Sequence, residues 1–112
     1  MSFEQSFDQF VETVISGVRT LASSAIGEAL DQAESDSKAF MAESEEKLRR
    51  WLHALKDGQL SRDEFEFLVA SQGDLAKMHA LKAVGVTQAR LERFRTGLKS
   101  LVVNAAFEAF GI

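Results

Sequence analysis

The chain has no cysteine, no proline and no tyrosine. Without cysteine there can be no disulfide, thiolate nucleophile, zinc knuckle or iron–sulfur cluster. Without proline no position is forced to kink, so long helices are free to stay long. Long apolar runs are scarce as well. The most apolar window, from Phe10 to Leu30, is interrupted by Glu12, Arg19 and Glu28. That is too polar and too periodic for a membrane span. The opening stretch MSFEQSFDQF lacks the positive region and apolar core of a secretory signal, so the expected location is the cytoplasm.

What is present fits one globular domain. The 112 residues are 46% hydrophobic and 27% charged, within the range of ordinary folded proteins. The formal net charge of −4 speaks against a generic nucleic-acid binder. The charge is uneven, however. Between Leu75 and Leu101 stand Lys77, Lys82, Arg90, Arg93, Arg95 and Lys99 against a single Glu92.

Apolar spacing predicts an all-α fold. Ser2 and Gln5 form a capping-box pair, and Phe3, Phe7, Phe10, Val14, Val18, Leu21, Ala25, Ala29 and Ala33 follow at steps of three and four, the helical period. Steps of eleven place Phe7, Val18, Ala29, Phe40 and Trp51 on one line. A second line holds Val11, Ala22, Ala33, Ser44 and Leu55, and a third Ile15, Ile26, Ser37 and Leu48. That repeat suits a straight helix. The polar middle, 31–47, reads as continuous helix because Glu34–Lys38, Glu43–Lys47, Glu45–Arg49 and Glu46–Arg50 are acid-before-base pairs four apart. Ser16, Gly17, Ser23, Ser24 and Gly27 either permit a close backbone approach or are weak helix formers carried by packing.

The expected architecture is therefore one long helix over about 3–56, a turn at 57–60 with Gly58 as terminator, and helices over about 62–72, 75–84 and 88–110. Ser61 and Glu64 make a second capping box, with Leu60 and Phe65 as a hydrophobic staple. Asp74 and Thr87 are the next caps, and Gly85 the next terminator. The first helix would be about 80 Å long and would fold back antiparallel on the shorter ones as a helical hairpin or bundle. The final segment is apolar almost all round, from Leu98 to Ile112. A helix apolar on every side needs cover on every side. This predicts completion of the bundle by a second copy, through Phe3, Phe7, Phe10, Val14, Val18 and Leu21 with Leu98, Leu101, Val102, Phe107 and Phe110.

Little in the sequence carries catalytic chemistry. His53 and His79 lie apart, and neither belongs to a helical metal-site pattern. There is no nucleophile elbow, phosphate loop or dinucleotide fingerprint. Asp63, Glu64 and Glu66 read as first-turn acids favoured by the helix dipole. Asp57-Gly58 lacks the alternating oxygen ligands of a calcium loop. The expectation is a non-enzymatic interaction protein with no catalytic residue, cofactor or metal, whose partner is itself or another helical protein.

Two segments resemble known modules. Residues 77–94, KMHALKAVGVTQARLERF, resemble a DNA-binding helix-turn-helix, with Gly85 at the turn, Val86 buried after it and Thr87 capping the second helix. The resemblance implies that Thr87, Gln88, Arg90 and Arg93 would contact nucleic acid, within a segment spanning about 77–95. It departs from the motif at Leu81, where alanine is usual. Residues 48–68, LRRWLHALKDGQLSRDEFEFL, are similar to short helical hairpins of the SHOCT type, in the Leu-rich helix, the Asp-Gly turn and the Leu-Ser-x-x-Glu-Phe restart. That likeness implies an oligomerisation or docking role. A further alternative is a membrane-surface helix inserting Phe3, Phe7 and Phe10, although its polar face, Glu4, Asp8 and Glu12, is acidic and anionic lipids repel it.

Overall fold

The computed structural model describes residues 2–72 and 77–111, and its regular elements are all helical. They are α1 (Phe3–Ala25), α2 (Leu30–Glu43), α3 (Glu45–Lys56), α4 (Arg62–Ala70), α5 (His79–Ala83) and α6 (Gln88–Phe110). The local start and stop signals act as the sequence suggests. Ser2 with Gln5 and Ser61 with Glu64 both form complete capping boxes. The Thr87 hydroxyl accepts from the Arg90 amide. Gly58 and Gly85 hold the left-handed conformation at φ 76° and 83°.

The long first helix is the main correction. The stretch expected to run unbroken over 3–56 is three helices, and the longest dimension of the molecule is 42 Å. Gly27 adopts φ 81° and Ala29 φ 57°, and the Ile26 and Gly27 amides both donate to the Ala22 carbonyl. This left-handed ending lets α2 reverse and lie on α1. Arg19 then reaches Asp31 at 2.6 Å and Glu34 at 3.3 Å. The reversal covers the apolar stripe by the chain's own helices, which a straight rod would leave open. The second interruption is slight. Ser44 alone leaves the helical region (φ −97°, ψ 1°), and helical hydrogen bonds continue on both sides of it. Its hydroxyl is buried and accepts from Gln72 Nε2 at 3.3 Å. Of the charge pairs expected to hold this stretch, Glu34–Lys38, Glu45–Arg49 and Glu46–Arg50 form. Glu43 instead meets Lys77, and Lys47 reaches Gln72.

Smaller corrections follow downstream. The helix expected over 62–72 stops at Ala70. The one expected over 75–84 covers 79–83, because Met78 turns left-handed at φ 41°. The expected cap Asp74 lies outside the described residues. The last helix ends at Phe110 as anticipated, closed by Gly111.

The core is organised around the pairing of α1 with α6. Gly17 lies under Leu101, and Gly97 lies under Leu21. Arg93 Nε donates to the Ala25 carbonyl at 3.3 Å. The register 17–101, 21–97, 25–93 makes the helices antiparallel. Each glycine is the socket for a leucine from the other helix, so the two backbones approach closely. A Cβ on Gly17 would stand 2.9 Å from Leu101 Cδ1, and one on Gly97 would overlap Leu21 Cδ1. Phe7, Phe10, Val14 and Val18 of α1, with Phe94, Leu98 and Val102 of α6, are almost wholly buried. The α2–α3 arm covers a second side of α1, with Phe40, Leu48 and Leu52 turned inward. Helix α4 covers α6 through Phe65, whose ring lies 6.1 Å from that of Phe107.

Helix α5 has five residues and no side-chain cap of its own. A helix so short does not persist alone. Asp36 of α2 supplies the missing cap from across the fold. Its Oδ1 accepts from the Ala80 amide and its Oδ2 from the Leu81 amide, each at 2.9 Å. Asp36 is buried, 9% exposed, and charge-assisted bonds of this kind are the strong ones.

Two measurements test this account. Gly97→Val should cost about 1–3 kcal/mol of unfolding free energy by overpacking. Leu21→Ala should relieve much of that cost in the double mutant, whereas strict additivity in denaturant melts would refute the socket. Asp36→Asn sets an amide NH2 against one of the two N–H groups and should cost about 1–3 kcal/mol. Faster amide exchange should appear first at residues 80–83, and unchanged exchange there would remove Asp36 from its capping role.

Candidate interaction surface

The residues expected to bind a second copy are largely spent inside one chain. Phe7, Phe10, Val14, Val18, Leu98 and Val102 are at most 1% exposed. They cannot reach another molecule without unfolding, which also removes Phe7 and Phe10 from any membrane-inserting face. The half-buried members have partners in the same chain. The Phe3 ring stacks on His53 at 3.7 Å between centroids and tilts against Phe110 at 5.3 Å. Leu21 and Leu101 fill the glycine sockets. Phe107 packs on Phe65 and carries the Arg62 guanidinium 4.1 Å above its ring. Only in a two-layer hairpin does α6 outrun the cover that one chain provides. Reversal at Gly27 supplies more helices, and α6 is sheathed by α1 and α4.

The positions offered for nucleic acid are arranged for internal work. Thr87 caps α6, and Gln88 donates to Glu92 at 3.2 Å. Arg90 pairs with Glu28 at 3.4 Å. Arg93 caps the C-terminal end of α1. The Arg90 and Arg93 bonds tie the start of α6 to the end of α1 and the turn that follows it. The first helix of the resembled motif is only the five residues of α5. His53 and His79 are exposed and sit on different helices. No group of three or more potential metal ligands occurs among the described residues. Among them, too, no helix is long and apolar enough to cross a membrane.

The outer face of α4 is the surface that sequence reasoning missed. Phe67 is 71% exposed, and with Val84 it is one of two large hydrophobic side chains so placed among the described residues. The face around it is built by helical spacing. Successive residues turn by about 100°, so Phe65 and Phe67 point to opposite sides. Phe65 and Val69 form the inner stripe and are fully buried against the core. Phe67 and Leu68 lie on the outer side, and with Leu60, which precedes the helix, and with Asp63 and Glu64 they line a shallow notch of about 320 Å³. A helix apolar on two sides calls for two partners. Helix α6 is one, and nothing in the described chain covers the other. The signal was legible: two phenylalanines two apart in a helix cannot share a face.

The rim of this notch is acidic. Asp63 and Glu64 are exposed. Glu64 Oε1 accepts from the Ser61 amide at 3.0 Å, while the Ser61 hydroxyl accepts from the Glu64 amide at 3.0 Å. The bond from the Ser61 backbone, and after it the one to its side chain, hold the Glu64 carboxyl below the ordinary glutamate range. Glu64 therefore holds its charge to lower pH than a free glutamate. No family model, curated protein or solved structure matches the chain.

The Glu64 environment gives a signed pH effect. A carboxyl whose folded pKa is lowered adds stability that is present above its unfolded value and lost as pH falls through the folded value. In an NMR titration the Ser61 amide should shift with a midpoint below that of a free glutamate, and Glu64→Gln should abolish the transition. A midpoint at or above the free value would refute the closed capping box in solution.

Proposed function

We propose that the protein is a non-enzymatic helical interaction module that docks another polypeptide on the outer face of α4. The observation that carries this reading is Phe67, an aromatic side chain left 71% exposed at the centre of an apolar notch. An aromatic anchor with apolar neighbours and a polar rim is the usual composition of a binding hot spot. Exposing it on a short helix has no benefit to the fold, because α4 is already fixed by Phe65 and Val69. Self-association, the expectation drawn from the apolar chain ends, survives only as one form of this docking, with a second copy as the partner.

Site-specific photo-crosslinking tests the reading. A photoreactive phenylalanine analogue in place of Phe67, in the intact host cell, should give a discrete protein adduct. The same group at exposed Ser23, on α1, should not. Absence of any adduct at position 67, or the same adducts at both positions, would overturn the proposal.

A further inference from the structure

We infer that the occupant of the α4 notch is a short cationic amphipathic segment of another protein, presenting an apolar side chain to Phe67 with lysine or arginine flanking it. This rests on reading the outer face of α4 as a docking surface, and it adds the chemistry of the partner. Three observations support it.

The first is charge. Asp63 and Glu64 stand on the same side of α4 as Leu60, Phe67 and Leu68, one turn before Phe67. Asp63 has no ion pair or hydrogen bond within the described chain, and Glu64 uses one carboxylate oxygen in its cap. The third acid of the helix, Glu66, already meets Lys99 at 3.7 Å. Arg62, the cation of α4, sits over the Phe107 ring. The notch thus offers an apolar floor with negative charge at one edge that no side-chain cation within the described chain pairs. Complementary charge there would speed encounter and fix orientation.

The second is size. Helix α4 has nine residues, so its face is about 14 Å long and about 10 Å wide. That is far below the roughly 800 Å² per partner of a stable protein–protein interface. It matches a helix-in-groove contact with one short segment, read by anchors at i, i+3, i+4 and i+7.

The third weighs against a second copy. Each chain has a formal net charge of −4. Two such molecules repel as they approach, and the small area of the face gives little to offset that repulsion.

The test uses the full chain and defined peptides. One is a blocked helical peptide of about 14 residues with leucine at i, i+3, i+4 and i+7 and lysine on the flanks; its twin has glutamate at every lysine. Amide shifts of residues 60–71 report binding at low and high salt. The lysine peptide should bind, more weakly as salt rises, and the glutamate peptide should not. Phe67→Ala should weaken binding roughly tenfold, as loss of an aromatic anchor does. Asp63→Asn with Glu64→Gln should weaken it about two- to fivefold and flatten the salt dependence. The glutamine keeps the helix cap, and circular dichroism verifies that each variant folds.

Equal binding of both peptides, lost in Phe67→Ala, would overturn the cationic partner and leave the docking face standing. No binding of either, with a dimer mass in light scattering that Phe67→Ala reduces to a monomer, would overturn it in favour of a second copy. No binding of either by a monomer that still crosslinks at position 67 would overturn the helical cationic segment while sparing the docking reading. Binding untouched by Phe67→Ala would overturn both.

Discussion

The distance between α1 and α6 governs the rest of the molecule. Two 23-residue helices lie against each other with a glycine in each and a leucine from the other seated on it. The exchange is reciprocal, so neither helix can rotate without lifting its own leucine from its socket. Close-packed interiors transmit such constraints well. With the pair fixed, one side of α1 is open to the α2–α3 arm, and one side of α6 is open to α4. Both are covered by helices whose apolar stripes would otherwise face water.

Polar groups then fix what the apolar contacts leave free. Asp36 reaches from α2 to cap α5, and Arg93 reaches from α6 to the last turn of α1. Gln72 crosses to the buried Ser44 hydroxyl. In each case a helix end or break lacks a partner in its own segment, and a side chain distant in sequence supplies it. Backbone donors and acceptors at helix ends need partners, and here tertiary structure provides several of them. The basic stretch of 77–99 owes part of its composition to these internal duties.

The sequence was most informative where the physics is local. The capping boxes at Ser2 and Ser61, the turns at Gly58 and Gly85 and the span of α6 depend on a few adjacent residues. The eleven-residue lines also identified the inward side. Phe7, Val18, Phe40, Ala22, Ala33, Ser44, Leu55, Ile26, Ser37 and Leu48 are buried, and the remaining members, Val11, Ile15, Ala29 and Trp51, are half-buried. What they did not report is whether the helix axis continues. Periodicity records which side faces the core, and it can persist in phase through a reversal such as the one at Gly27. Gly27 reads in the sequence as a point of close backbone approach or a weak helix former and not as a terminator, because a left-handed ending there is decided by the packing of α2 on α1. The same error hid the exposed outer face of α4. With a straight first helix, the apolar C-terminal segment looked undercovered and drew attention from Phe67. The opposed placement of Phe65 and Phe67 needed only the helical period.

The α1–α6 pairing also bears on how the chain reaches its native state. Residues joined across it, such as Arg93 and Ala25, are 68 positions apart. By contrast, the Arg19–Asp31 contact spans 12. Ring closure between distant segments carries the larger entropic penalty, and chains rich in such contacts fold more slowly. These separations favour an order in which the α1–α2 reversal nucleates early as a local helical hairpin and α6 arrives last. Until it does, the hollows at Gly17 and along Val14 and Val18 lie open, and a nascent molecule at that stage is most prone to associate with its neighbours. The apolar chain ends, which the finished fold largely buries within one chain, would then be the adhesive surface of its precursor.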